Sequence, residues 1–544
     1  MRWLRLALLA LVVPAACSVV AQSVPSASEA LRERIEQLRA DPDAQVDGVT
    51  LAATRLVPEL YERRGFTPLW TSSAARDDLR RAIRDSEADG LDPEDYLLSP
   101  LERARAAAEA PGATLDAQID YDVLQSEALV RLLYHLIFGK LDPASFDPNW
   151  NFTRSLDHVD RAEFVQKLID SGELYARIEA EKPSHPLYQR LKAALARMRE
   201  LAARGGWPEL ARGPTMKLGV IDTRVTALRA RLAAEGGLGP DESGVGDRFD
   251  APLAAAVSRF QACHGLDQDG SVGAATLAEL NVPVAARIQQ LRVNLERGRW
   301  LLQDLDPTFI VVNVAGFDVY YVRDGKPVWQ ARAQVGRPVR ETPIFRSEIR
   351  YLVVNPTWTV PPVILEEDIL PAQKRDPRTL EKKGLQVVDH SGQVVPESSI
   401  DWANATPRNF RYMLRQPAGP DNALGRVKFV FPNPHAVYLH DTPSKSLFER
   451  GQRTFSSGCI RVENALDLAT LLLEGQPGWD RAALDQAVAE GTTRTVTLAK
   501  RVPILLTYWT AWVDQSGVLQ LRRDVYGRDA IVAAGLEAHF RVRR

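Results

Sequence analysis

The spacing of apolar residues changes character near residue 309 and divides the chain into a helical part and a strand-rich part. From about Ser28 to Arg204 the chain is rich in Ala, Leu, Arg and Glu at helical spacing. Residues 121–134 are the clearest case, because Val123, Leu124, Ala128, Leu129, Leu132 and Leu133 fall on one stripe of a helical period. Between residues 218 and 282, Val225, Leu228 and Leu232 set one helix and Leu253, Ala256, Val257 and Phe260 another, with Gly-rich turns between them. From Phe309 the apolar residues alternate or become β-branched. Residues 309–314, 317–323, 328–335, 351–355 and 427–431 read as strands of a mixed or antiparallel sheet, and 495–498, 504–513 and 518–522 as further strands. The predicted fold class is a multidomain α+β protein.

Two segments fit neither period. Residues 371–425 are polar and contain Pro371, Pro377, Pro417 and Pro420; a connection that long inside a compact domain is usually functional or flexible. At the start of the chain, Arg2 and Arg5 precede or flank the apolar run 6–13, and the small residues Ala15, Ala16 and Ala21 follow, which is the pattern of a secretory signal peptide. Cleavage after Val19-Val20-Ala21 would make Gln22 the first mature residue. Cys17 as a lipoprotein cysteine is the competing reading, and Pro14 fits it poorly; an uncleaved single anchor is a third. No later apolar run reaches the roughly 20 residues that span a bilayer. The chain is therefore expected in the periplasm, with inner-membrane association as an alternative.

Composition agrees with a folded, exported protein: 45% of residues are apolar, 25% are charged and the formal net charge is −2, so nothing points to a nucleic-acid partner. Signal removal would leave Cys263 and Cys459. A disulfide between them would consume the better candidate for chemistry. Cys263 lies next to His264, but no further ligand set stands at a recognisable spacing, so a metal site is not expected and no cofactor is required. Tyr508, Trp509 and Trp512 read as core aromatics rather than cleft residues.

Chemistry concentrates at Tyr438-Leu439-His440-Asp441-Thr442-Pro443 and Phe455-Ser456-Ser457-Gly458-Cys459-Ile460-Arg461. A thiolate nucleophile needs a base within reach and donors for the oxyanion it creates. Residues 436–440 read as a buried strand ending at the Thr-Pro turn, with His440 at its end. Alternation along that strand would send His435 and His440 to opposite faces, which favours His440 as the base. Gly458 would let the backbone approach a substrate, and the N–H groups of Gly458 and Cys459 would aim at an oxyanion. Residues 463–474 read as a helix, which would put Cys459 just before a positive helix N-terminus that favours a thiolate.

His440, followed nineteen positions later by Cys459 within Ser457-Gly458-Cys459-Ile460-Arg461, resembles the signature of the YkuD-type L,D-transpeptidases. That family usually has a second His immediately before its Gly-Cys pair, and here Ser457 takes the place; the longer run from His440 to Lys445 and from Arg453 to Arg461 is similar to the large periplasmic YcbB-type branch, where the Ser form is familiar. The resemblance implies that Cys459 is the nucleophile and His440 its base. Ser457 and Gly458 would then shape the loop or the oxyanion site, and Tyr438 and Arg461 would contact substrate, with bracing of the loop an equal option for Arg461. It also implies that 371–425 is a lid over the cleft.

The motifs at residues 61–70, 89–93 and 139–143 are similar to the helical scaffold of the same branch, and residues 260–281 resemble the three-helix peptidoglycan-binding module. The resulting layout is a signal peptide at 1–21, a helical scaffold at 22–213, the module at 214–283, a linker helix at 284–305, a catalytic domain at 306–498 and a C-terminal β extension at 499–544. The implied activity is formation of 3→3 cross-links between peptidoglycan stem peptides through a Cys459 thioester. The sacculus would be the partner and carbapenems the implied inhibitors. A stem-peptide L,D-carboxypeptidase and a non-catalytic wall-binding protein are the rivals.

Overall fold

The computed structural model of the chain describes residues 26–41, 43–152, 159–239 and 246–540. The signal segment read at 1–21, with Cys17, lies outside them. The architecture is the expected mixture of a helical region, a small three-helix unit and a β-rich domain.

Helices of the first region start where a side chain can take an orphan N–H: Ser26 caps Ala27–Ala40 with a capping box through Glu29, Thr114 caps Leu115–Phe138, and Asp160 caps Arg161–Asp170. Leu115–Phe138 is longer than the 121–134 stripe suggested and is buried on nearly every side. Several of its polar residues are paired: Tyr61 donates to Asp122 at 2.7 Å, the Trp70 indole to Ser126 at 3.0 Å, and Arg131 to Glu127 at 2.5 Å, whereas the buried Gln125 side chain has no hydrogen-bond partner.

The three-helix unit comprises Arg224–Ala234, Ala251–Cys263 and Ala274–Leu280 around Val225, Leu228, Leu232, Leu253 and Val257. It is docked, not tethered. Arg522 donates to the Cys263 carbonyl at 2.6 Å, Arg523 to Glu279 at 3.2 Å, and the Gly451 N–H to Asp267 at 2.6 Å.

Nine strands form the sheet of the third domain: β1 Phe309–Asn313, β2 Asp318–Arg323, β3 Lys326–Gly336, β4 Phe345–Val354, β5 Val427–Val430, β6 Leu439–His440, β7 Thr454–Ser456, β8 Ile460–Val462 and β9 Arg494–Thr507. Their order is β7-β3-β8-β6-β5-β4-β9-β1-β2, and β3 also pairs with β2, so the sheet curls back on itself. Val312, Val319, Leu352, Phe429, Leu439, Ile460 and Leu506 fill its core.

Three sequence-based boundaries change. β9 runs unbroken from Arg494 to Thr507 and pairs with both β4 and β1, so the catalytic sheet passes through residue 498 instead of ending there. Beyond it, the hairpin Ala511–Val513/Leu519–Leu521 and the helix Arg528–Glu537 bring Trp509, Trp512, Val532 and Leu536 into the core of the helical region. The C-terminal segment is thus not a β extension, and its aromatics are core residues. The polar insertion begins earlier than 371 and is no loose loop. Trp358–Thr359, Gln386–Val388 and Met413–Gln416 form a small sheet, and Val360, Ile369, Leu380, Leu385, Val387 and Leu414 give the insertion its own core. Six buried apolar side chains scattered over some fifty polar positions do not make a readable period, although folding brings them together.

Candidate active site

Strand register assembles the site. On β5 Lys428 stands opposite His440 of β6, and His440 stands beside Arg461 of the parallel strand β8. Partners in register share a face, and so do residues two apart on one strand. Lys428, His440 and Arg461 therefore form a row, with Tyr438 and Cys459 two positions before His440 and Arg461. Contacts bear this out: the Lys428 ammonium sits 3.7 Å from the centre of the Tyr438 ring, and the Tyr438 and His440 rings are 5.6 Å apart.

The alternation expected between His435 and His440 is interrupted. Ala436 has φ 54°, β6 contains only Leu439 and His440, and the His435 ring packs on Phe345 at 5.4 Å. His440 joins the row through pairing with β5 and β8, not through strand phase relative to His435.

Cys459 lies immediately before β8. The expected helix starts only at Ala465, after β8 and a left-handed Asn464 at φ 52°, so its N-terminus does not directly follow the thiol. Burial pushes the Cys459 thiol above its ordinary value. The N–H and hydroxyl of Tyr438 and the charges of Lys428 and Arg461 act in the opposite direction. The sulfur also lies 3.9 Å from the Ala436 carbonyl. Burial, then the charge of Cys459, raises the Tyr438 hydroxyl, and the Trp358 side chain of the insertion acts in the opposite direction.

His440 is buried, and its Nδ1 lies 2.5 Å from the Asp441 carbonyl. A carbonyl only accepts, so Nδ1 carries the proton of the neutral ring. Burial first, then the charges of Arg461 and Lys428, press the imidazole down to about 3. The turn that holds it is fixed by Asp441, which accepts from the Arg426 N–H at 2.9 Å and pairs with Lys445. Gly425, at φ 60°, leaves room for that carboxylate; a Cβ there would run into it.

The loop before Cys459 uses its own donors. Gly458, at φ 112°, donates its N–H to Ser456 Oγ at 3.1 Å, and its carbonyl accepts from Thr342 Oγ1 at 2.8 Å. The Gly458 N–H is thus spent on the loop instead of facing an oxyanion. Ser457 Oγ accepts from Arg340 at 2.9 Å. Arg461 donates to Gln334 at 3.2 Å, the bracing option for this residue.

Arg340 is a residue that no sequence motif singled out. Besides Ser457 it holds Glu367 at 2.5 Å and Asp368 at 2.6 Å, in the π-helical turn Leu365–Ile369 of the insertion. One guanidinium therefore ties the insertion to the loop of Cys459, a connection visible only once both segments are folded. Replacing Arg340 by Met is expected to lower kcat/KM about tenfold, the loss of one charge-assisted network, while Cys459 remains open to small alkylating reagents. Steady-state kinetics beside iodoacetamide labelling checks this; unchanged kcat/KM would mean that the tie has no bearing on turnover.

Three family models match the chain: a scaffold domain at 55–195, a "Putative peptidoglycan binding domain" at 222–280 and an L,D-transpeptidase catalytic domain at 307–479. A Haemophilus influenzae protein named "Putative L,D-transpeptidase" is 38% identical over 244 residues, which are 44% of this chain and 48% of that protein. The alignment thus spans about half of the relative's length. Among solved structures, an L,D-transpeptidase in complex with imipenem aligns at 17% identity and TM-score 0.17, over 38% of this chain and 64% of its own. Mycobacterium tuberculosis L,D-transpeptidase 1 aligns at 15% identity and TM-score 0.15, over 38% and 67%.

Proposed function

Residues 307–479 belong to the YkuD family of L,D-transpeptidase catalytic domains, and from that premise we propose that the chain is a peptidoglycan L,D-transpeptidase that forms 3→3 cross-links. Cys459 attacks the carbonyl of the third residue of a tetrapeptide stem. The tetrahedral intermediate collapses to a thioester, and the terminal D-alanine leaves with a proton on its amine. An amine from a second stem then displaces the thiol. His440 accepts the proton from Cys459 and later from the attacking amine. The observation that carries this reading is the placement of Cys459, Tyr438, His440, Lys428 and Arg461 on one face of the sheet inside the matched domain.

Supporting roles follow from the contacts. Tyr438 orders the sulfur, and Arg461 braces β8 on Gln334. The insertion from Trp358 to Gln416 acts as a lid, because Trp358 reaches Tyr438 and Glu367 and Asp368 reach the Cys459 loop through Arg340. The three-helix unit engages the wall. The substrate lies outside the inner membrane, so the reading includes export by residues 1–21 into the periplasm.

Incubation of the purified chain with tetrapeptide muropeptides, followed by mass spectrometry, tests the proposal. Dimers joined between the third residues of both stems are expected. Tripeptide products without dimers would identify an L,D-carboxypeptidase, with water in place of the amine. Sacculus binding without either product would identify a wall-binding protein.

A further inference from the structure

We propose that Lys428 is a positioning residue for Cys459, the ammonium that stabilises the thiolate across the Tyr438 ring. The inference rests on the reading of Cys459 as the nucleophile and adds the source of its ionisation. Two usual sources are missing: the helix that follows Cys459 starts only at Ala465, beyond β8, and the imidazole of His440, set between Lys428 and Arg461, is not a cation at neutral pH.

Lys428 fits the task by geometry. Its ammonium lies 3.7 Å from the Tyr438 ring centre, and the charges of Lys428 and Cys459 act on each other. The ammonium thus rests on an aromatic face beside the thiol, an arrangement that gains strength where water is thin. Lys428 forms no ion pair with a carboxylate among the described residues, and the charge that acts on it is that of Cys459. A half-buried cation without an anion is costly, and the anion this site generates is the thiolate.

The neighbours supply no competing anion. Val353 of β4 pairs with Lys428 on the other side from His440 and is apolar. Arg461, the second cation of the row, is bonded to Gln334. Glu341, whose carbonyl lies near Gly458, turns its carboxylate onto Arg528 at 2.8 Å. Loss of the Cys459 proton to solvent therefore leaves the sulfur's negative charge facing Lys428.

The test follows alkylation of Cys459 by iodoacetamide as a function of pH in the full chain, where the thiolate displaces iodide and peptide mapping separates Cys459 from Cys263. Lys428→Met is expected to raise the apparent pKa of Cys459 by about one unit and to slow its alkylation at pH 7 by roughly threefold to tenfold, the greater basicity of the freed thiolate offsetting part of the loss. Lys428→Arg, which keeps the charge, is expected to stay close to the parent profile. An unchanged profile in Lys428→Met would overturn the inference. So would equal shifts in both variants, which would mark a packing effect. Alkylation needs no peptidoglycan, so a parent chain that shows the expected Cys459 profile yet makes no muropeptide product defeats the transpeptidase reading and leaves this one standing.

Discussion

Cys459→Ala is expected to abolish muropeptide turnover, with a loss on the order of 10⁴–10⁶-fold, the scale seen when a covalent nucleophile is removed. In the parent chain a carbapenem is expected to acylate Cys459 and to leave Cys263 untouched. Both thiols are free and both are pushed up by burial, so burial does not separate them. Their surroundings do. At Cys459, Tyr438 and two cations, Lys428 and Arg461, act against the effect of burial. Cys263 has one cation, Arg522, opposed by Asp514 and Glu235. Peptide mapping after carbapenem treatment locates the adduct. An adduct on Cys263, or turnover retained by Cys459→Ala, would overturn the assignment of the nucleophile.

Replacing His440 by Gln should slow acylation about 10²–10⁴-fold, the range for loss of a general base, and replacing His435 should change it little. Structure supplies the reason for the contrast: His435 packs on Phe345, whereas His440 occupies the row between Lys428 and Arg461. The pH dependence follows from the direction of the shift. The His440 value is lowered from 6.5 to about 3, so the ring is neutral and able to accept a proton throughout the neutral range. Only Cys459 then changes charge as pH rises, and the rate of acylation should climb with the thiolate fraction without a separate step near 6.5. A step near 6.5 that disappears in His440→Gln would show an imidazole titrating as if exposed. Equal losses in the two histidine variants would remove His440 as the base.

Much of the site was readable before folding. The spacing from His440 to Cys459, with Gly458 before the thiol and Arg461 after it, is local chain chemistry, and a resemblance can rest on it. Tyr438 came with the same run. Arg340 and Lys428 could not be found this way. Arg340 is 117 residues from Ser457 in sequence, and Lys428 sits in a strand whose alternation predicts only which face it occupies, not what it faces.

Local sequence determined the elements themselves. Helical stripes, capping residues such as Ser26, Thr114 and Asp160, and runs of β-branched residues act within a few positions, and the signals they leave are short-range. Tertiary structure decided how those elements were used. Ala436 adopts φ 54° and β6 shrinks to two residues because pairing with β5 and β8 fixes only Leu439 and His440. The helix after Cys459 begins two residues later than expected, at Ala465, because the Glu463 N–H is drawn to the Arg332 carbonyl of β3 and Asn464 takes φ 52°. β9 crosses the boundary at 498 because β4 pairs with it on both sides of an irregularity between Thr497 and Val502, and β1 pairs with its second half. The insertion becomes a subdomain because its few apolar side chains meet in space though not in sequence. In each case the free energy comes from hydrogen bonds and buried surface supplied by residues tens to hundreds of positions away, beyond the reach of a local pattern.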